Sequence, residues 1–190
     1  MPETTNPRTT PNGSTVNASE PTTPRTSKLA SVLVLVAFIA ISFAVAALGS
    51  IATAGNVNGW YADAEKASWN PPNWLFGPAW TLLYTLMSVA AWLVWRQRGR
   101  VRVRPALTLY VIQLVLNAVW TPVFFGLYPS IGSPALWIAL VIIVALDVAV
   151  LLTMLSFWRV SKVAAWLLVP YWAWVLFATT LNGALATLNS

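Results

Sequence analysis

Residues 69–84 read WNPPNWLFGPAWTLLY. A polar, proline-stiffened loop passes here into an apolar run long enough to cross a bilayer as a helix of about 20 residues. Three Trp, three Pro and a Tyr are thereby gathered at a membrane mouth. Such a place suits either an interfacial anchor or one wall of a pocket for a flat apolar ligand.

Outward from this stretch the chain stays apolar. Its 190 residues are 58% hydrophobic and only 8% charged, with a mean hydropathy of +0.68. A soluble domain carries roughly 25% charged residues, so the composition is that of an integral membrane protein. The expected fold class is all-α. Apolar segments at about 29–54, 75–95, 106–126, 135–157 and 165–188 each have the length of a spanning helix. Short connections predict antiparallel neighbours in one five-transmembrane-helix bundle over residues 28–190. Residues 1–27 are rich in Thr and Pro and poor in large apolar side chains, which predicts a disordered tail.

Ala52-Thr53-Ala54 after an apolar run has the look of a signal-peptide cleavage site. The run exceeds the roughly 7–15 residues of a signal core and its polar leader is long, so it is read as a retained helix. Within it Ser42, Ala46, Gly49 and Thr53 share one face, a small-residue stripe suited to close helix packing.

Charge gives the expected orientation. With five spans, the N-terminus and the 96–105 and 158–164 loops share one side. They hold ten of the eleven basic residues, and only Lys66 lies opposite. The positive-inside rule puts that side in the cytoplasm and the C-terminus outside. The same rule accounts for the run RQRGRVRVR, so no nucleic-acid partner is expected.

The chain has no Cys and no His, which excludes thiolate nucleophiles, Cys/His zinc sites, axial-His haem ligation and disulfides. There is no Gly-rich phosphate loop, nucleophile elbow or metal-ligand cluster. No metal and no resident cofactor are expected. What remains is a set of aromatic and amide stripes.

Tyr110, Gln113, Asn117, Trp120 and Phe124 recur on one face of the third span, and Tyr171, Trp174, Ala178 and Asn182 on one face of the fifth. In the second span, Trp80 and Tyr84 are one turn apart. Amides in hydrocarbon need partners, so these stripes face protein or a cavity. Interhelical hydrogen bonding alone would explain Gln113 equally well. Trp92, Trp95, Trp158 and Trp166 sit beside basic residues as an aromatic belt. Trp80, Trp120 and Trp174 lie deeper and are candidates for lining a slot. Asp147 is the sole acid inside a span; it reads either as a neutral packing group or as a proton-coupled one.

Three ordered blocks, WYADAEKASWNPPNWLFGPAWTLLY, LYVIQLVLNAVWTPVFF and VSKVAAWLLVPYWAWVLFATTLN, resemble the TspO/MBR family (tryptophan-rich sensory protein / translocator protein, peripheral benzodiazepine receptor type). The resemblance covers about residues 55–190. It implies a five-helix membrane bundle, commonly a homodimer, whose pocket is covered by the loop after the first helix. The ligands it implies are tetrapyrroles such as protoporphyrin or haem, sterols and benzodiazepine-type compounds. It places the pocket on Tyr61, Pro71, Trp80, Tyr84, Asn117, Trp120, Trp174 and Ala178, with Trp80 and Trp174 as the indoles that would act on bound porphyrin. The sterol motif of animal members ends in Lys or Arg, and residues 175–190 contain neither. A reversed pattern, Arg104 through Tyr110 to Leu114, is present.

Three functions follow as alternatives: a tetrapyrrole-binding protein with a regulatory or transport role, an enzyme degrading porphyrin with light and oxygen, and a secondary transporter. The transporter reading lacks an internal repeat and a partner for Asp147.

Overall fold

Wherever the chain turns, a local device ends one helix and starts the next. The computed structural model describes residues 28–190, and the tail expected at 1–27 lies outside the described residues. Helix α1 (Lys28–Asn58) is followed by a single turn, α2 (Trp60–Asp63), and an extended loop. Then come α3 (Asn73–Trp95), α4 (Arg104–Thr121), a π-helical turn (Pro122–Gly126), the short α5 (Tyr128–Ile131), α6 (Ser133–Trp158) and α7 (Lys162–Leu188). No strand occurs among the described residues. The fold is all-α, and α1, α3, α4 with its π turn, α6 and α7 are long and apolar enough to cross a membrane.

Gly132 sits between α5 and α6 at φ 67°, a left-handed backbone that glycine adopts without a Cβ clash. Pro134 then opens α6 at a position where a missing N–H is harmless. Ser161 caps α7, its Oγ accepting from the Ala164 amide at 3.3 Å. The third span was expected to run as one helix to residue 126. It changes to π geometry at Pro122 instead, because a proline ring clashes with the α-helical carbonyl four residues back.

The long helices close a ring in which α1 lies against α3, α3 against α7, α7 against α6, α6 against α4, and the π turn against α1. Lipid gives apolar side chains no reason to leave it, so packing rests on shape and on polar links. The small-residue stripe of α1 shows both. A Cβ built on Gly49 would lie 3.2 Å from Thr121 Cγ2, and Ser42 Oγ is 3.1 Å from the Tyr110 hydroxyl. Ser88 of α3 donates to Ser42 Oγ at 3.0 Å. Leu33, Val36, Ile41, Leu48 and Ile51 of α1, and Val141, Val144, Val148 and Leu155 of α6, point outward, as lipid-facing residues must.

The basic residues gather with aromatic rings at one end of the bundle. Arg96 lies 4.7 Å from the Trp92 ring, Arg98 3.4 Å from that of Trp95, and Lys162 5.8 Å from that of Trp158. At the other end, α2 and its loop cross the mouth of the ring. Trp60 Nε1 donates to the Phe125 carbonyl at 2.9 Å, and its ring stacks on Tyr128 at 3.9 Å. The side chain of Asn189 accepts from the Glu65 amide at 3.1 Å and donates to the Glu65 carbonyl at 2.9 Å. The backbone N–H and C=O of one residue are thus both met by one carboxamide.

Candidate functional site

Beneath this roof lies a cavity of about 370 Å³. Its walls come from α1, α3, α4, the π turn and α7, and its roof from Tyr61 of α2. Helix α6 does not reach it. Helical spacing accounts for the walls. On α3, Phe76, Trp80 and Tyr84 follow at intervals of one turn, and on α7 Trp174, Ala178, Leu181 and Asn182 do the same. The inner face of α1 contributes Ala46, Gly49 and Thr53, so its small residues leave room as well as allowing close packing.

The aromatic groups brace one another. Trp80 is 5.3 Å from Tyr84, tilted by 30°, and 6.3 Å from Tyr171. Phe76 meets Trp174 edge-on at 5.9 Å. Trp120 stacks on Phe124 at 4.9 Å, while its Nε1 donates to Asn182 Oδ1 at 3.1 Å. Asn182 Nδ2 then donates to the Leu136 carbonyl at 3.0 Å. One amide therefore ties α4, α6 and α7 together and holds the Trp120 ring against the cavity.

Of the expected pocket residues, Tyr61, Trp80, Tyr84, Trp120, Trp174 and Ala178 come together on this cavity. Asn117 stands behind the wall, accepting from the Tyr84 hydroxyl at 2.6 Å. Its Nδ2 donates to the Tyr171 hydroxyl at 3.3 Å, and that hydroxyl donates to Gln113 Oε1 at 2.9 Å. Pro71 lies in the roof loop, where its carbonyl accepts from Asn70 Nδ2, and is not part of the wall. Asp147 is also off the wall: its Oδ2 accepts from Thr179 at 2.7 Å between α6 and α7.

Several wall residues escaped the sequence reading. Phe76 was discoverable, being one turn before Trp80. The roles of Trp60 and Asn189 were not, since their partners lie 65 and 124 positions away.

The chemistry on offer is narrow. Among the described residues the lining includes no Asp, Glu, Lys or Arg. Thr53 and Thr81 spend their hydroxyls on their own helices, at the Gly49 and Gly77 carbonyls. Burial raises the Tyr61 phenol above its ordinary value, and the hydrogen bond to Asn70 pulls it back only in part. It stays neutral at physiological pH. Among the described residues no group of His, Cys, Asp and Glu could hold a metal ion. The surface is one of ring faces and methyl groups, suited to binding a flat apolar molecule.

Comparison with known proteins gives a consistent picture. The TspO/MBR family model matches residues 38–188. The "Tryptophan-rich protein TspO" of Archaeoglobus fulgidus is 43% identical over 160 residues, covering 84% of this chain and 99% of that one. The human "Translocator protein" is 42% identical over 125 residues, 65% of this chain and 70% of its own. The "Tryptophan-rich sensory protein" of Cereibacter sphaeroides is 42% identical over 147 residues, 76% of this chain and 87% of its own.

Proposed function

This chain belongs to the TspO/MBR family, and from that premise we propose that it binds a tetrapyrrole of the porphyrin or haem pathway in its intramembrane cavity, in a regulatory or transport role. It is a multi-pass membrane protein of that family. The observation that carries the reading is the cavity itself: Trp80, Tyr84, Trp120 and Trp174 present to one space with no charged side chain among the described lining residues. A tetrapyrrole ring lies against such faces, each ring pair adding about 0.5–1.5 kcal/mol beyond area burial. Its carboxylates belong at the lid end, beside Asn73. A homodimer, and a basic end turned to the cytoplasm, are part of the same proposal.

Protoporphyrin quenching of Trp fluorescence tests it. Saturable quenching is expected in the purified protein and a markedly weaker response in the Trp80→Phe, Trp174→Phe double variant. Unchanged quenching in that variant removes the proposed site. Haem and a sterol in the same titration rank the ligand classes.

The position of two indoles on one cavity also favours a second reading. A photoexcited porphyrin held against Trp80 and Trp174 can lose electrons to oxygen, with the indoles passing them on, so that the macrocycle is oxidatively degraded as oxygen is reduced. Light-dependent product that is lost in Trp variants which still bind separates this activity from binding alone.

A further inference from the structure

The cavity has one side that the roof does not cover. Among its lining residues Ser50, Asn73, Gly77 and Thr81 are exposed, and all four lie on α1 and α3. The lining positions on α4, the π turn and α7 are buried or half-buried. Asn73 and Thr81 are about 12 Å apart along the helix axis at 1.5 Å per residue. The gap therefore runs from the lid end well into the depth of the span.

The two helices that frame it are joined elsewhere. Towards the basic end, Trp92 Nε1 donates to the Ser31 carbonyl at 2.8 Å and Ser88 Oγ to Ser42 Oγ at 3.0 Å. Phe43 and Tyr84, 6.4 Å apart, close the floor. Above them no such link is made among the described residues, and the facing residues are small. A Cβ on Gly77 would meet nothing within 4 Å. Thr81 Oγ1 donates to the Gly77 carbonyl at 2.9 Å and Thr53 Oγ1 to the Gly49 carbonyl at 2.7 Å. Both threonines therefore have their hydroxyls satisfied, so hydrocarbon can fill the gap without leaving those donors unpaired. The roof, in contrast, is tied by Trp60 and Asn189.

We propose that the gap between α1 and α3 is a lateral portal, through which ligand passes between the cavity and the hydrocarbon of the bilayer. This rests on the binding reading above and narrows the ligand class. The ligand is a molecule that partitions into the membrane, is flat enough to pass edge-on, and carries its polar groups along one edge. That edge stays at the headgroup level beside Asn73 while the ring enters.

The absence of Cys makes the test clean. The full chain carrying Ser50→Cys and Gly77→Cys is placed in vesicles and bridged with a bifunctional thiol reagent. Transfer of protoporphyrin from donor vesicles is then followed by Trp quenching in stopped flow. Bridging is expected to slow association and dissociation by the same factor, about tenfold or more, since a gate acts on both directions. Each single-Cys variant treated with the same reagent is slowed less than the bridged protein. Gly77→Leu, whose side chain enters open space, gives the same joint slowing without any reagent. Unchanged rates in both the bridged protein and Gly77→Leu overturn the portal, as does faster dissociation alone, which marks a lost contact. Faster transfer on loosening the lid by Asn189→Ala, with no effect of the bridge, assigns access to the water side and likewise overturns it. Absence of equilibrium quenching in the unsubstituted protein removes the binding reading, and the portal with it.

Discussion

The Tyr84 hydroxyl donates to Asn117 Oδ1 at 2.6 Å, turning the polar end of a cavity-wall residue away from the cavity. Asn117 can hold that hydroxyl because its own Nδ2 is engaged with Tyr171, which in turn donates to Gln113. Three helices, α3, α4 and α7, are joined by this one chain of hydrogen bonds. The consequence for the site is that Tyr84 shows a ligand its ring and not its hydroxyl.

Tyr171 is the middle of that chain, and its loss strands two partners. Tyr171→Phe leaves Asn117 Nδ2 and Gln113 Oε1 unpaired in a fully buried place. Polar links between membrane helices are worth about 0.6–2 kcal/mol each, so a loss of about 1–3 kcal/mol is expected. Tyr84→Phe breaks one link and should cost about half as much. Thermal unfolding in detergent reads the order directly, and a larger effect for Tyr84→Phe would refute the chain as drawn.

Asn189 clamps the roof through both polar groups of Glu65. At about 0.5–1.5 kcal/mol per hydrogen bond, and with the pair near water, Asn189→Ala should loosen the roof by about 1–2 kcal/mol. Amide exchange over residues 60–66 is expected to quicken about five- to thirtyfold, with α3 and α7 unaffected. Uniform quickening through the bundle would mean that Asn189 supports the fold and not the roof.

Tyr61 makes roof closure sensitive to alkali. Burial raises its phenol, so the docked roof favours the neutral form. Below the ordinary value of 10.0 both docked and undocked roofs hold a neutral phenol, and closure is independent of pH. Above it the undocked phenol ionises first, and closure is lost as pH rises through the raised value. A fluorophore on the 64–68 loop should report flat behaviour at neutral pH and opening in alkali. Tyr61→Phe should abolish the alkaline limb; a limb that persists assigns it to another group.

The five spans and the inward faces of α4 and α7 were legible because a 3.6-residue period leaves its mark on sequence. Tyr110, Gln113, Asn117 and Phe124 all turned inward as that period requires. Trp80 and Trp174 lie inside their helices, away from the ends, and both line the cavity. Nothing local announced that Trp60 would find the Phe125 carbonyl, since that partner is exposed by a π turn and has no side-chain signature. Asn117 was placed on the right face, but only the packed bundle shows that Tyr84 stands between it and the cavity.

Asp147 separates packing from proton coupling. It faces Thr179, off the cavity wall, and its Oδ1 is buried with no hydrogen-bond partner among the described residues. Thr179 keeps a second acceptor in the Val175 carbonyl at 3.0 Å. Asp147→Asn should therefore leave tetrapyrrole affinity and its pH dependence unchanged in fluorescence titrations, while preserving the fold. An altered pH dependence in this variant would restore a proton-coupled role.

Two glycines of the cavity lining, one on α1 and one on α3, should respond in opposite ways to the same methyl group. On Gly49 an added Cβ lies 3.2 Å from Thr121 Cγ2, where α1 crosses the end of α4. Forcing a well-packed contact apart costs about 1–3 kcal/mol, more than the roughly 1 kcal/mol that alanine adds to a helix. Gly49→Ala should thus lower the unfolding midpoint. On Gly77 the added Cβ meets nothing within 4 Å, so only the helix term acts, and Gly77→Ala should raise the midpoint by adding up to about 1 kcal/mol of stability. Thermal unfolding of the two variants side by side reads the sign. Stabilisation by both would mean that α1 yields freely at Thr121, and that the close crossing of α1 and α4 does not set the width of the cavity.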